Sequence, residues 1–254
     1  MKINHIHLIA IIGLLVLTGC SGYKNLSYAK AHPDKVTKLK IRDTHLDSLP
    51  IEITQMKQLK ALYLFRNELT KLPKEIGNLE NLETLIIASN RLTELPHTIG
   101  NLKRLKKLSL KHNDLTQLPA EIGELDSLNS LYLEHNQLKS LPSSIGRLTQ
   151  LEFLYLNHNK LTSLPGEIGS LTNLKYFGIM KNSLTSLPAE LGYLESLVEM
   201  NAAFCGPMVG IPSTIENCHK LEFLYIDKSM TIPYSINRVN PRLQIVIKST
   251  TGME

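Results

Sequence analysis

Residues 128–148 read Leu128-Asn-Ser-Leu131-Tyr-Leu133-Glu-His-Asn136-Gln-Leu138-Lys-Ser-Leu141-Pro142-Ser-Ser-Ile145-Gly146-Arg-Leu148. The equivalents of Leu128 stand at Leu59, Leu82, Leu105, Leu151, Leu174 and Leu197, one every 23 residues. A fixed period of this length means that each unit is one supersecondary element, whose core is completed by its neighbours. Counting Leu128 as position one, positions four and six lie two apart and so point the same way from a short strand. Stacked units make such strands parallel neighbours about 4.8 Å apart. Asn67, Asn90, Asn113, Asn136, Asn159 and Asn182 hold position nine, where the chain turns inside. A buried amide there is expected to serve backbone groups of adjacent turns that water cannot reach. The steps from Leu72-Pro73 to Leu187-Pro188 begin the far side of each unit, where proline's missing donor breaks no sheet ladder. Gly77, Gly146 and their equivalents close each outer turn and are expected in the left-handed conformation.

This pattern resembles the leucine-rich repeat, in the 23-residue class with a Leu-Pro step, from Val36 to about Ile247. The resemblance implies an α/β leucine-rich repeat solenoid of about nine repeats. Such a horseshoe carries a parallel β-sheet on its concave face and short turns or 3-10 segments on its convex face. Both ends depart from the pattern. Thr44 replaces asparagine in unit one, Cys205 in unit eight and Ser229 in unit nine. Asn25 to His32 reads as a short helix ended by Pro33, a lid over the first unit. Leu243-x-Ile245-x-Ile247 reads as a last strand.

The N-terminus addresses the compartment. After Lys2, Leu8 to Leu17 is an uncharged run too short to span a bilayer and suited to a secretory signal. It ends in Leu17-Thr18-Gly19-Cys20, which resembles the bacterial lipobox. That resemblance implies a diacylglycerol thioether on Cys20 and cleavage before it. Several acyl chains anchor stably where one does not. The expected location is extracytoplasmic, lipid-anchored to a bacterial membrane. Ser21, where aspartate would retain the protein, favours the outer membrane or cell surface over the inner membrane. The chain thus divides into a signal peptide (1–19), an anchored N-terminus and cap (20–35), the repeats (36–242) and a cap strand with tail (243–254).

A formal charge of +5 on 254 residues lacks the dense basic stripe of a nucleic-acid binder. Nucleophile elbow, paired zinc histidines, Cys-x-x-Cys and phosphate-cradling glycine loop are all missing from the sequence. No enzyme, metal or cofactor is therefore expected. His112, His135 and His158 form a column at position eight, either a metal or pH-sensing ladder or simply a repeated His-Asn ending. Cys205 and Cys218 read as two buried small hydrophobes or as a disulfide.

The outward positions three, five, seven and eight carry nine of the fourteen aromatics: Tyr63, Phe65, Tyr132, Phe153, Tyr155, Tyr176, Phe204, Phe223 and Tyr225. Exposed aromatics gathered on a concave surface mark a binding site, or they stack on one another for stability. Gly178, where the preceding unit has Tyr155, should leave a hollow walled by Tyr155, Tyr176 and Met180. Lys38, Lys40, Arg42, Arg66, Lys107 and Lys111 make the first units basic. The expected ligand is a protein partner held on the concave face. The alternatives are a glycan or other envelope polymer, with aromatics stacking on sugar rings, and a structural spacer.

Overall fold

The computed structural model describes residues 26–236 and 240–249. Cys20 and the signal run lie outside the described residues. The fold is a leucine-rich repeat solenoid with one open, wholly parallel sheet of ten strands in chain order. The strands are β1 (Lys38–Lys40), β2 (Ala61–Tyr63), β3 (Thr84–Ile86), β4 (Lys107–Ser109), β5 (Ser130–Tyr132), β6 (Phe153–Tyr155), β7 (Tyr176–Gly178), β8 (Glu199–Asn201), β9 (Phe223–Asp227) and β10 (Gln244–Lys248). The period sets the register without a slip: Leu62, Leu85, Leu108, Leu131 and Leu154 face one another strand by strand. All five are fully buried. A one-residue slip would turn them to solvent.

Short 3-10 segments form the opposite wall, from Ile51–Gln55 to Ser213–Asn217. Each is preceded by a proline in an extended conformation, such as Pro142 (φ −68°, ψ 147°), whose carbonyl accepts from Ile145 N at 3.0 Å. The proline thus supplies the acceptor a tight turn needs, and no ladder lacks its donor. The glycines that close these turns are not left-handed, contrary to expectation. Their small size answers a close approach instead. A Cβ on Gly146 would stand 2.5 Å from the Glu167 carbonyl oxygen of the next unit.

In units two to eight a left-handed residue stands at position eight. Arg66, Ser89, His112, His135, His158, Lys181 and Phe204 all have φ between 52° and 58°. There the chain leaves the strand and turns inward. Backbone pairing nevertheless continues through this corner: His135 N donates to Asn157 O at 3.0 Å, and Asn136 N to His158 O at 3.3 Å. Histidine is among the residues that tolerate this conformation better than most. The His-Asn endings thus have a local backbone reason.

The asparagine ladder forms, with a direction. Asn136 Nδ2 donates to Leu110 O (2.9 Å) and Leu133 O (3.0 Å), while its Oδ1 accepts from Leu115 N (3.1 Å). Each amide therefore clips its own unit to the preceding one, rather than serving both neighbours. At the N-terminal end, α1 (Leu26–Ala31) buries Ala29 and packs Leu26 against the core. At the other end, β10 pairs in parallel with β9. On β10, Ile247, on the inward side, is 59% exposed. No helix among the described residues is long and apolar enough to cross a membrane.

Candidate functional site on the strand face

The sheet sends positions three, five and seven of every unit outward, so the face is built from three columns of side chains. The aromatic residues assemble there by register. Tyr132 lies opposite Tyr155, and Phe153 opposite Tyr176. Their rings stack nearly parallel, with centroids 5.6 Å apart (12°) and 5.0 Å apart (3°). Phe223 and Tyr225 form a third pair at 6.4 Å. Burial, reinforced by Glu199, Tyr132 and Glu134, pushes the Tyr155 hydroxyl up to about 12, so it stays a donor at any physiological pH. Phe204 sits apart, at a left-handed corner whose N–H donates to the Asp227 carboxylate at 2.6 Å.

Tyr63 and Phe65 belong to different company. Lys38 and Lys40 each place Nζ 5.5 Å from the Tyr63 ring centroid, and Arg42 and Arg66 flank Phe65 at 5.3 and 5.1 Å. These are cation–π distances. Cations also approach Tyr132 (Lys107 and Lys111), Tyr155 (Lys111) and Tyr225 (Lys248), so the central four aromatics form stacks and two of them carry charge as well.

The hollow expected at Gly178 is filled. Gly178 is buried, and a Cβ there would meet the Asn157 amide and Tyr155 Cδ1, each at 2.8 Å. Asn157 Oδ1 accepts from Met180 N at 2.8 Å, which holds the amide over the glycine. Met180 is half-buried beside it. Position seven, one strand step away, supplies the group that closes the gap.

Sequence reasoning also missed Glu134. Its Oε1 takes a 2.6 Å ion pair from Lys111, and the residue is only 9% exposed. Its Oε2 is buried and has no hydrogen-bond partner among the described residues. Lys111 in turn lies over the Tyr132 ring at 4.7 Å. Position-seven neighbours Lys111 and Glu134 differ by 23 in the sequence, and that spacing was the available signal.

His112, His135 and His158 stack face to face, with centroids 4.2 and 4.1 Å apart and planes within 18°. In-plane nitrogen lone pairs of stacked rings run side by side instead of converging on a metal. No cluster of three metal-ligating side chains occurs among the described residues. Burial first, then neighbouring charge, lowers the basicity of His135 and His158. Cys205 and Cys218 are free and buried, and burial pushes their thiols up to about 12 and about 11.

The comparisons with known proteins agree with this architecture. A family model described as a leucine-rich repeat region matches residues 52–113 and 98–174. No curated protein matches the chain. Among solved structures, a leucine-rich repeat protein of Leptospira interrogans is 29% identical, with a TM-score of 0.68, over 91% of this chain and 76% of its own. The plant peptide hormone receptor RGFR1, in complex with RGF2, is 27% identical at a TM-score of 0.60. The match covers 84% of this chain and 40% of the receptor's. The ectodomain of the Arabidopsis thaliana receptor kinase GASSHO1/SCHENGEN3, in complex with Casparian strip integrity factor 2, shares the fold at 22% identity and a TM-score of 0.57. That match covers 84% of this chain and 36% of the other. The molecule is therefore built as a leucine-rich repeat solenoid, a fold that presents a surface.

Proposed function

We propose that this protein is a lipid-anchored binding protein that holds a protein partner on the strand face and catalyses no reaction. One observation carries the reading: the half-buried rings of Tyr132, Phe153, Tyr155 and Tyr176 form two stacked pairs on neighbouring columns at the middle of the sheet. Aromatic clusters of this kind dominate binding energy where they are central to an interface. The complex of the plant peptide hormone receptor RGFR1 with RGF2 supports a peptide or protein ligand. Ten strands at about 4.8 Å give a floor roughly 43 Å long. With five residues of strand across it, the floor offers on the order of 700 Å², close to the ~800 Å² per partner of a standard interface.

A photo-crosslinking residue placed at Tyr155 in intact cells tests the reading. Protein adducts should form there and be absent when the crosslinker replaces Ser170 on the outer turns. Adducts from Ser170 alone, or binding to a glycan array with no protein adduct at Tyr155, would contradict it. For the anchor, Cys20→Ala should abolish labelling by radioactive fatty acid and leave an unprocessed precursor; wild-type labelling of the variant would refute it.

A further inference from the structure

The strand face is divided by charge, and the division falls between units four and five. At the outward positions of units one to four, six cations (Lys38, Lys40, Arg42, Arg66, Lys107, Lys111) face one carboxylate, Asp43. In units five to nine the balance reverses: Glu134, Glu199 and Asp227 stand against Lys181 and Lys228, and seven of the nine face aromatics are there. Two of the six cations are already answered, Arg42 by Asp43 at 2.7 Å and Lys111 by Glu134 at 2.6 Å. Lys38, Lys40, Arg66 and Lys107 have no carboxylate within ion-pair distance among the described residues. Lys40, Arg66 and Lys107 are exposed and Lys38 is half-buried.

Between these cations lies unit three, whose outward side chains are Thr84, Ile86, Ala88 and Ser89. Its floor is low and uncharged, so an extended chain can lie close to the sheet there with cations on both sides. From β1 to β4 is three strand steps, about 14 Å, or about four residues of extended peptide at ~3.3 Å each. The aromatic floor begins one to two steps further on.

Resting on the reading that the partner is a protein, we propose that the strand face takes an extended segment of about eight residues. Its acidic half lies over units one to four, and its apolar or aromatic half lies over Tyr132, Tyr155 and Tyr176. Uncompensated cations held on aromatic platforms recruit carboxylates and set register, while the stacked rings supply the anchor.

The test uses labelled octapeptides and fluorescence anisotropy on the purified protein. One carries four acidic residues followed by Ser-Leu-Phe-Leu, and a second has the same residues in reverse order. A third replaces the acids with their amides, and a fourth alternates acidic and apolar residues. The better of the first two should bind at least tenfold tighter than the amide and alternating peptides. Lys38→Glu with Lys40→Glu should remove that preference, and Lys107→Glu should reduce it. Lys139→Glu with Lys160→Glu makes the same change in net charge at exposed residues off the face, and should leave the preference intact. Equal loss in both double variants would mean general attraction only and would overturn the proposal. No preference among the four peptides would overturn it too, as would polygalacturonate binding that the Lys38/Lys40 variant loses while no peptide binds. The Tyr155 crosslink is read separately, so a protein adduct there with indifferent peptides would sink this inference and spare the broader one.

Discussion

The strand floor and the outer turns are cut from the same 23-residue unit, and they use it in opposite ways. Along the outer wall the chain repeats itself: proline, then an isoleucine or leucine, then glycine, as in Pro142, Ile145 and Gly146. Along the floor it does not. Position five runs Lys40, Tyr63, Ile86, Ser109, Tyr132, Tyr155, Gly178, Asn201 and Tyr225 through successive units. The reason is the surroundings each side chain meets. A turn residue packs against the turn of the next unit, so its size is limited by the neighbouring level. The glycine that would collide with the Glu167 carbonyl illustrates this. A floor residue meets its neighbours sideways and solvent above, so its chemistry is free to answer a ligand. Uniformity therefore reports packing, and variety reports recognition.

The comparison breaks first if the uniform part is not what holds the fold. Leu131 is fully buried in the central strand, and Leu131→Ala should cost about 2–5 kcal/mol, the range for truncating a core leucine. Denaturant unfolding reads this directly, and a midpoint within error of wild type would show that the repeats do not share one core. Asn136→Ala should cost less, about 1–3 kcal/mol, because it strands buried backbone groups at Leu110, Leu115 and Leu133. The directional clip sharpens this prediction. Hydrogen exchange should quicken at Leu115 N, on the preceding unit, and leave Leu138 N protected by Asn159.

Much of this was legible in the sequence, because a period constrains geometry more tightly than any single residue can. Strand order, the register from β1 to β8 and the asparagine ladder follow from counting in steps of 23, while the N-terminal helix and the final strand were read from Pro33 and from the alternation Leu243-x-Ile245-x-Ile247. Reasoning within one unit fared worse. It gave the left-handed conformation to glycines such as Gly146, whereas the corner is made by His135 and its equivalents, and the glycines answer a contact with the next unit. It left a hollow at Gly178, because the Asn157 amide that fills it comes from an adjacent strand. Each error came from a side chain one strand away, which the unit pattern alone does not place.

The smallest effect sits at the corner between wall and floor. Burial, together with His158, His112, Lys181 and Lys111, holds the folded basicity of His135 below its ordinary value, and burial with Lys181 does the same for His158. The unfolded chain then binds more protons between the lowered and ordinary values, so folding stability falls as pH drops through that window. Above the ordinary histidine range both states are neutral and the contribution vanishes. The melting temperature should decline from pH 7 toward pH 5, and His135→Asn, which keeps a residue tolerant of positive φ, should flatten the decline. An unchanged slope in that variant would place the acid sensitivity elsewhere.

The claim that variety reports recognition rests most directly on one comparison of binding constants, using the protein cross-linked at Tyr155 as ligand. Tyr155→Ala with Tyr176→Ala should weaken binding at least tenfold, about 1.4 kcal/mol. Glu167→Ala with Ser170→Ala, on the outer turns, should leave it unchanged. A silent tyrosine pair beside a disabling outer-turn pair would move the ligand to the convex wall and contradict the account.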